Sequence, residues 1–146
     1  DSFLVLRGIK ILHLRIQRHC ENGEAVAKFL RSHPKVGNVY WPGFEDHPNH
    51  DIAKRQMKGF GGMISFSTKE STLESATKLV EKLKIFTLAE SLGGVESLAG
   101  HPATMTHASI PKEERAKTGV VDSLIRLSVG IEDEEDLIND LKQALG

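Results

Sequence analysis

The chain has 146 residues, 39% of them hydrophobic and 27% charged, with 19 Lys and Arg against 20 Asp and Glu and a formal net charge of -1. This balance fits one soluble globular domain, excludes disorder, and gives no basic footprint for nucleic acid. No apolar run approaches the roughly 18 residues that would mark a membrane span, no signal peptide opens the chain, and the lone Cys20 cannot close an internal disulfide. A cytoplasmic protein is the expectation. The chain opens Asp1-Ser2-Phe3-Leu4 without an initiator methionine, which reads as a piece of a longer protein.

In chain order, residues 2–31 read as one long helix with Leu12, Ile16, Val26, Ala27 and Leu30 on one stripe, ending near Ser32 ahead of Pro34. Gly8 and Gly23 are the places where it could break or kink. Val36 to Trp41 is a β-rich run stopped by Pro42-Gly43, and 44–49 reads as a loop. A short helix over 51–58 comes next, and then a turn at Gly59, Gly61 and Gly62. Met63 to Ser67 alternates as a strand. Ser71-Thr72-Leu73-Glu74 reads as a capping box, followed by a helix with Leu73, Ala76, Leu79, Val80 and Leu83 on one face. Ile85 to Ala89 reads as a strand and 91–100 as a small-residue loop. Pro111 suits a first helical position, and Gly119 suits that helix's end. Leu124 to Val129 is the clearest strand, with Ile125, Leu127 and Val129 on one face and Arg126 and Ser128 on the other. The last helix carries Leu137, Ile138, Leu141, Ala144 and Leu145 on one side behind an acidic first turn. The elements predict an α+β fold: a small, mostly antiparallel sheet covered by helices.

Four features could carry chemistry. Arg126 faces away from the core, where its planar fork could grip a carboxylate or phosphate, or where it is simply an arginine on the wet face of a sheet. Ser91-Leu92-Gly93-Gly94 follows a strand and could present backbone N–H groups to an anion, or be an ordinary tight turn. His47 and His50 invite a zinc reading, but no second ligand pair has finger-like spacing, and surface histidines are the simpler account. Lys69, in Ser67-Thr68-Lys69, raises a Schiff-base question, yet a catalytic lysine usually needs burial or a cationic neighbour, and here the next residue is Glu70 and the site reads as exposed.

Taken together, Ala89-Glu90-Ser91-Leu92-Gly93-Gly94-Val95-Glu96-Ser97-Leu98, then His101-Pro102-Ala103-Thr104-Met105-Thr106-His107-Ala108, then Leu124-Ile125-Arg126-Leu127-Ser128-Val129-Gly130-Ile131-Glu132-Asp133 resemble one family. It is the cystathionine γ-lyase and γ-synthase group, the pyridoxal phosphate (PLP) enzymes of Cys/Met metabolism. Leu6-Arg7-Gly8-Ile9-Lys10, Trp41-Pro42-Gly43 and Gly59-Phe60-Gly61-Gly62-Met63 fit as well, so the resemblance covers essentially the whole chain.

The resemblance implies the C-terminal small domain of a fold-type I PLP-dependent transferase. Residues 1–33 would be the long helix linking it to a PLP domain outside this sequence, and 34–146 the substrate-binding domain. It implies no catalytic residue, cofactor ligand or metal ligand within the 146 residues, since the family's Schiff-base lysine lies upstream; Lys69 is a decoy. The chain alone would be inactive and hold no PLP. On the substrate side, Arg126 matches the arginine that binds the substrate α-carboxylate. Ser91 matches a serine whose loop helps hold that group, and Thr106 a threonine near the arginine. Glu90 matches a glutamate at the pocket edge in members that handle cystathionine. The implied activity of the full-length protein is cleavage of the Cγ–S bond of cystathionine in transsulfuration. Cystathionine γ-synthase or a methionine γ-lyase-type enzyme is the alternative, and a free-standing non-catalytic binding module the alternative of another class. Implied partners are a small amino-acid substrate, the chain's own PLP domain and the other subunits of a homotetramer.

Overall fold

A computed structural model describes residues 1–146. The expected long helix is two: α1 (Ser2–Ile9) and α2 (Leu12–Ser32), separated at Lys10 and Ile11. Neither glycine breaks a helix. Gly8 ends up as an acceptor, its carbonyl bonded by Arg15 Nη2 at 3.0 Å. Gly23 instead lets α2 press on the turn at Gly61 and Gly62, since a Cβ there would lie 2.5 Å from the Gly61 oxygen. The predicted stripe also divides. Val26, Ala27 and Leu30 are fully buried, whereas Leu12 and Ile16 are exposed, because only the C-terminal half of α2 lies over the sheet.

Five strands follow the order β1-β2-β5-β4-β3: β1 (Val36–Tyr40), β2 (Met63–Thr68), β3 (Thr87–Leu88), β4 (Leu98–Gly100) and β5 (Leu124–Ser128). Three pairings are antiparallel and β3–β4 is parallel, so the sheet is mixed. The strand β4 falls within the stretch expected to be a loop; three residues are too few to show a period of two. Conversely, the strand expected over 85–89 shrinks to two residues. Its leading amides are taken elsewhere: Lys84, Ile85 and Phe86 N–H all donate to the Asp140 carboxylate, at 2.9, 2.8 and 3.1 Å.

The remaining helices are α3 (His50–Gln56), α4 (Leu73–Lys82), α5 (Lys112–Lys117) and α6 (Glu134–Leu145). The capping box is displaced by one residue. Thr72, not Ser71, caps α4, its Oγ1 accepting from Ser75 N–H at 3.1 Å, while Ser71 closes a turn onto Thr68 at φ 54°. Likewise Pro111 is the cap of α5 and not its first helical residue. Asp133 caps α6 by accepting from Glu135 N–H at 2.9 Å.

Cross-strand pairing decides which side chains share a face. Ile64 opposes Leu127, Phe66 opposes Ile125, and Ala99 opposes Leu127. All are fully buried against Val26, Leu30, Ala76, Leu79, Leu137 and Leu141 from α2, α4 and α6. Each such large side chain contributes about 1.5–3 kcal/mol on burial. The other face carries the row Ser65, Arg126, Gly100. Serine and glycine on either side leave room for the arginine's stem.

Candidate functional site

Arg126 stands at the middle of β5, half-buried. Its Nη2 donates to the carbonyl oxygens of Glu90 at 3.3 Å and Ser91 at 3.1 Å. It forms no ion pair, unlike Arg31 with Asp46 and Arg115 with Asp122. One edge of the guanidinium is thus fixed by two neutral acceptors, and its positive charge is uncompensated. Two carbonyl dipoles orient a cation without neutralising it, which leaves the fork competent for an anionic partner.

A small cleft of about 10 Å³ gathers Ala89, Glu90, Gly100, His101, Pro102, Met105, Thr106 and Arg126. Three of the four expected substrate-side residues, Arg126, Glu90 and Thr106, therefore meet at one place. Ser91 adjoins it through its backbone carbonyl. Glu90 and Thr106 are exposed, and the Thr106 hydroxyl lies 2.8 Å from His107 Nδ1.

His101 forms the cleft's floor and is buried. The carbonyl of Asp122 can only accept, so His101 Nε2 donates to it at 2.8 Å, while Nδ1 pairs with the Thr104 hydroxyl at 2.8 Å. Asp122 is itself anchored by Lys112 and Arg115. The Lys112 hydrogen bond, with a further bond from Arg115, outweighs desolvation and holds its carboxyl below the usual carboxylate range. Both ring nitrogens of His101 are thus spent on fixing the 101–122 segment.

The Gly93 amide is not free to form an anion nest, because it donates to Ser128 Oγ at 2.8 Å. The glycine loop is tied down from β5 instead. The histidine pair does not assemble either. His50 is buried with Nδ1 donating to Pro42 O at 2.8 Å, and His47 Nδ1 accepts from Asn49 N–H at 3.2 Å. Lys69 is exposed and lines a separate groove with Lys35, Lys78 and Lys82. Sequence reasoning missed His101, Gly100 and Ser128 as parts of the site, since their roles come from register and loop return, which no local pattern encodes.

Comparison with known proteins is consistent across sequence and structure. A family model described as Cys/Met metabolism PLP-dependent enzyme matches residues 1–146. The chain is 59% identical over 145 residues to a cystathionine beta-lyase of Coxiella burnetii, covering 99% of this chain and 37% of the relative. It is 57% identical over 145 residues to a cystathionine gamma-lyase of Dictyostelium discoideum, again covering 99% and 37%. A crystal structure of cystathionine gamma synthase from Xanthomonas oryzae pv. oryzae, in complex with aminoacrylate and cysteine, superposes with a TM-score of 0.92 at 50% identity, over 99% of this chain and 37% of that one. The chain spans a little over a third of the length of these relatives. No helix is long and apolar enough to cross a membrane.

Proposed function

The chain belongs to the Cys/Met metabolism PLP-dependent enzymes, and from that premise we propose that it is the C-terminal, substrate-binding part of an enzyme that cleaves the Cγ–S bond of cystathionine. Within it, Arg126 binds the substrate α-carboxylate. The observation that carries this reading is the guanidinium held by the Glu90 and Ser91 carbonyls and left without an ion pair. A carboxylate docked on its open edge would gain two parallel charge-assisted bonds. Thr106 lines the same cleft and offers a hydroxyl at its rim. Glu90 places a carboxylate beside the arginine's anchor, where it would favour a substrate with a distal ammonium, as cystathionine has.

PLP, when bound, supplies an electron sink for bonds at the substrate's Cα. No lysine lines the Arg126 cleft, and Lys69 is in another groove. This chain's residues therefore do not fit the cofactor's point of attachment, which the reading assigns to the rest of the full-length protein. What the chain does is bind and orient. Holding the carboxylate fixes the rotation of the substrate about Cα and so selects which of its bonds is labilised.

Residues 1–33 are read as the link to that PLP domain. Support comes from α1, which buries none of its residues and leaves Phe3, Leu4, Val5, Leu6 and Ile9 more than half exposed. Consecutive residues point all round a helix, and one that is apolar on every side is of the kind that other chain covers. The reading extends to a cytoplasmic homo-oligomer.

The relatives include β-lyases, γ-lyases and a γ-synthase, so the test reads the products. Full-length protein incubated with L-cystathionine is expected to release cysteine, 2-oxobutanoate and ammonia. Homocysteine and pyruvate would assign β-cleavage. Absence of both keto acids, with new thioether formed from cysteine and an activated homoserine, would assign the synthase. No reaction of any kind would favour a non-catalytic binding module.

A further inference from the structure

Resting on the reading of Arg126 as the carboxylate clamp, we propose that Glu132 and Ser97 are positioning residues that set the direction of its guanidinium from behind. The carbonyls that aim Arg126 belong to Glu90 and Ser91, at the start of a loop that returns to the sheet at Ser97 and Leu98. Ser97 is fully buried. Its backbone N–H donates to Glu132 Oε1 at 2.6 Å, its hydroxyl donates to Glu132 Oε2 at 2.8 Å, and the same hydroxyl accepts from Gly130 N–H at 2.8 Å. Between loop start and loop return, Gly93 N–H donates to Ser128 Oγ at 2.8 Å and Val95 O accepts from Ile131 N–H at 2.9 Å.

The ties at Gly93, Val95 and the Ser97 N–H and hydroxyl all end on residues 128–132, the direct extension of the strand that carries Arg126. Glu132 is the only carboxylate among them, and its two bonds to one serine are the charge-assisted kind that fix geometry most strictly. It is fixed in turn from α2, where Asn22 Nδ2 donates to the carbonyls of Gly130 at 3.0 Å and Glu132 at 2.9 Å. Gly130 admits no side chain, because a Cβ there would overlap the Glu132 carboxylate and the Val95 carbonyl. The latch needs the length of the glutamate side chain as well as its charge. Aspartate keeps the charge but is one methylene short of Ser97. Glutamine keeps the reach and the bond from Ser97 N–H to its Oε1, but its amide nitrogen can only donate to the Ser97 hydroxyl, whose own proton then loses its acceptor.

The experiment uses the full-length holoprotein and two inert probes: L-norleucine, and n-pentylamine, which is the same molecule without its carboxylate. Binding is measured by calorimetry, and the readout is the ratio of the two affinities. With Arg126→Lys as the reference for loss of the clamp, Glu132→Asp is expected to lower the norleucine-to-pentylamine ratio by about 3- to 10-fold and leave pentylamine affinity unchanged, and Glu132→Gln, which keeps the bond from Ser97 N–H, is expected to lower the ratio less. Should Glu132→Asp fail to fold, Ser97→Ala removes the hydroxyl bonds, retains the backbone bond to Glu132, and is expected to lower the same ratio. A ratio unmoved by Glu132→Asp or Ser97→Ala, but collapsed by Arg126→Lys, would overturn the latch and leave the clamp standing. Equal damage by Gln and Asp would overturn the latch in favour of the charge alone. A ratio unmoved by Arg126→Lys would remove the clamp itself, and this inference with it.

Discussion

The Nη2 of Arg126 lies 3.1 Å from the carbonyl oxygen of Ser91, joining the middle of the central strand to a loop 35 residues earlier in sequence. A side chain aimed by backbone acceptors keeps its charge for something else. Arg31 and Arg115 show the opposite arrangement, with carboxylates of this chain already seated on their guanidinium groups.

Glu90 offers its carbonyl to Arg126 and leaves its carboxylate in solvent. In the full-length protein, Glu90→Ala is expected to lower kcat/KM for L-cystathionine by about 2- to 5-fold relative to L-methionine, the scale of an exposed ion pair. Steady-state kinetics with both substrates checks this; an unchanged ratio would remove Glu90 from substrate selection.

Asp140 contributes to stability and to its pH dependence. Burial raises its pKa, but the three backbone N–H donors at 84–86 and the amide of Gln143 outweigh that, and the net shift is downward. A depressed folded-state pKa stabilises the fold above the unfolded value of about 3.9, and the contribution disappears as pH falls through the folded value. Asp140→Asn is expected to cost about 2 kcal/mol at neutral pH and to flatten the acid limb of stability below pH about 4. Urea unfolding at several pH values measures both.

Gly130→Ala pushes a methyl group into the Val95 carbonyl and the Glu132 carboxylate. Backbone is on one side, so the loop must move. The expected loss is about 1–3 kcal/mol in chemical denaturation, together with faster amide exchange at Gly93 and Ser97. Wild-type exchange at both amides would contradict close packing of Gly130 against Val95 and Glu132.

How much of this was legible in the sequence differs from residue to residue. The alternation Ile125, Leu127 against Arg126 was enough to give the strand and the arginine's face, because a period of two is local. Leu12 and Ile16 fit the helical stripe equally well but stay exposed, since periodicity reports an apolar face and not what covers it. The Ser71 capping box failed because the turn from β2 claimed that serine and left Thr72 to cap. Asp140 reads as one more polar position of an amphipathic helix; only the tertiary fold brings three amides to it. The expected substrate residues rest on long ordered motifs resembling a family, and three of them line one cleft. Their supporting set, Ser97, Ser128 and Glu132, is polar residues meeting across 35 positions of chain, a distance no spacing rule spans.

Recognition of the α-carboxylate by the proposed Arg126 clamp is measured by kcat/KM for L-cystathionine in full-length Arg126→Lys protein. The expected fall is about 100-fold, the loss of bidentate charge-assisted bonding, with the thermal midpoint within about 2 °C of wild type, since the guanidinium's only bonds are two on a half-buried surface. A kcat/KM within about twofold of wild type, which is under 0.5 kcal/mol of transition-state stabilisation, would contradict it.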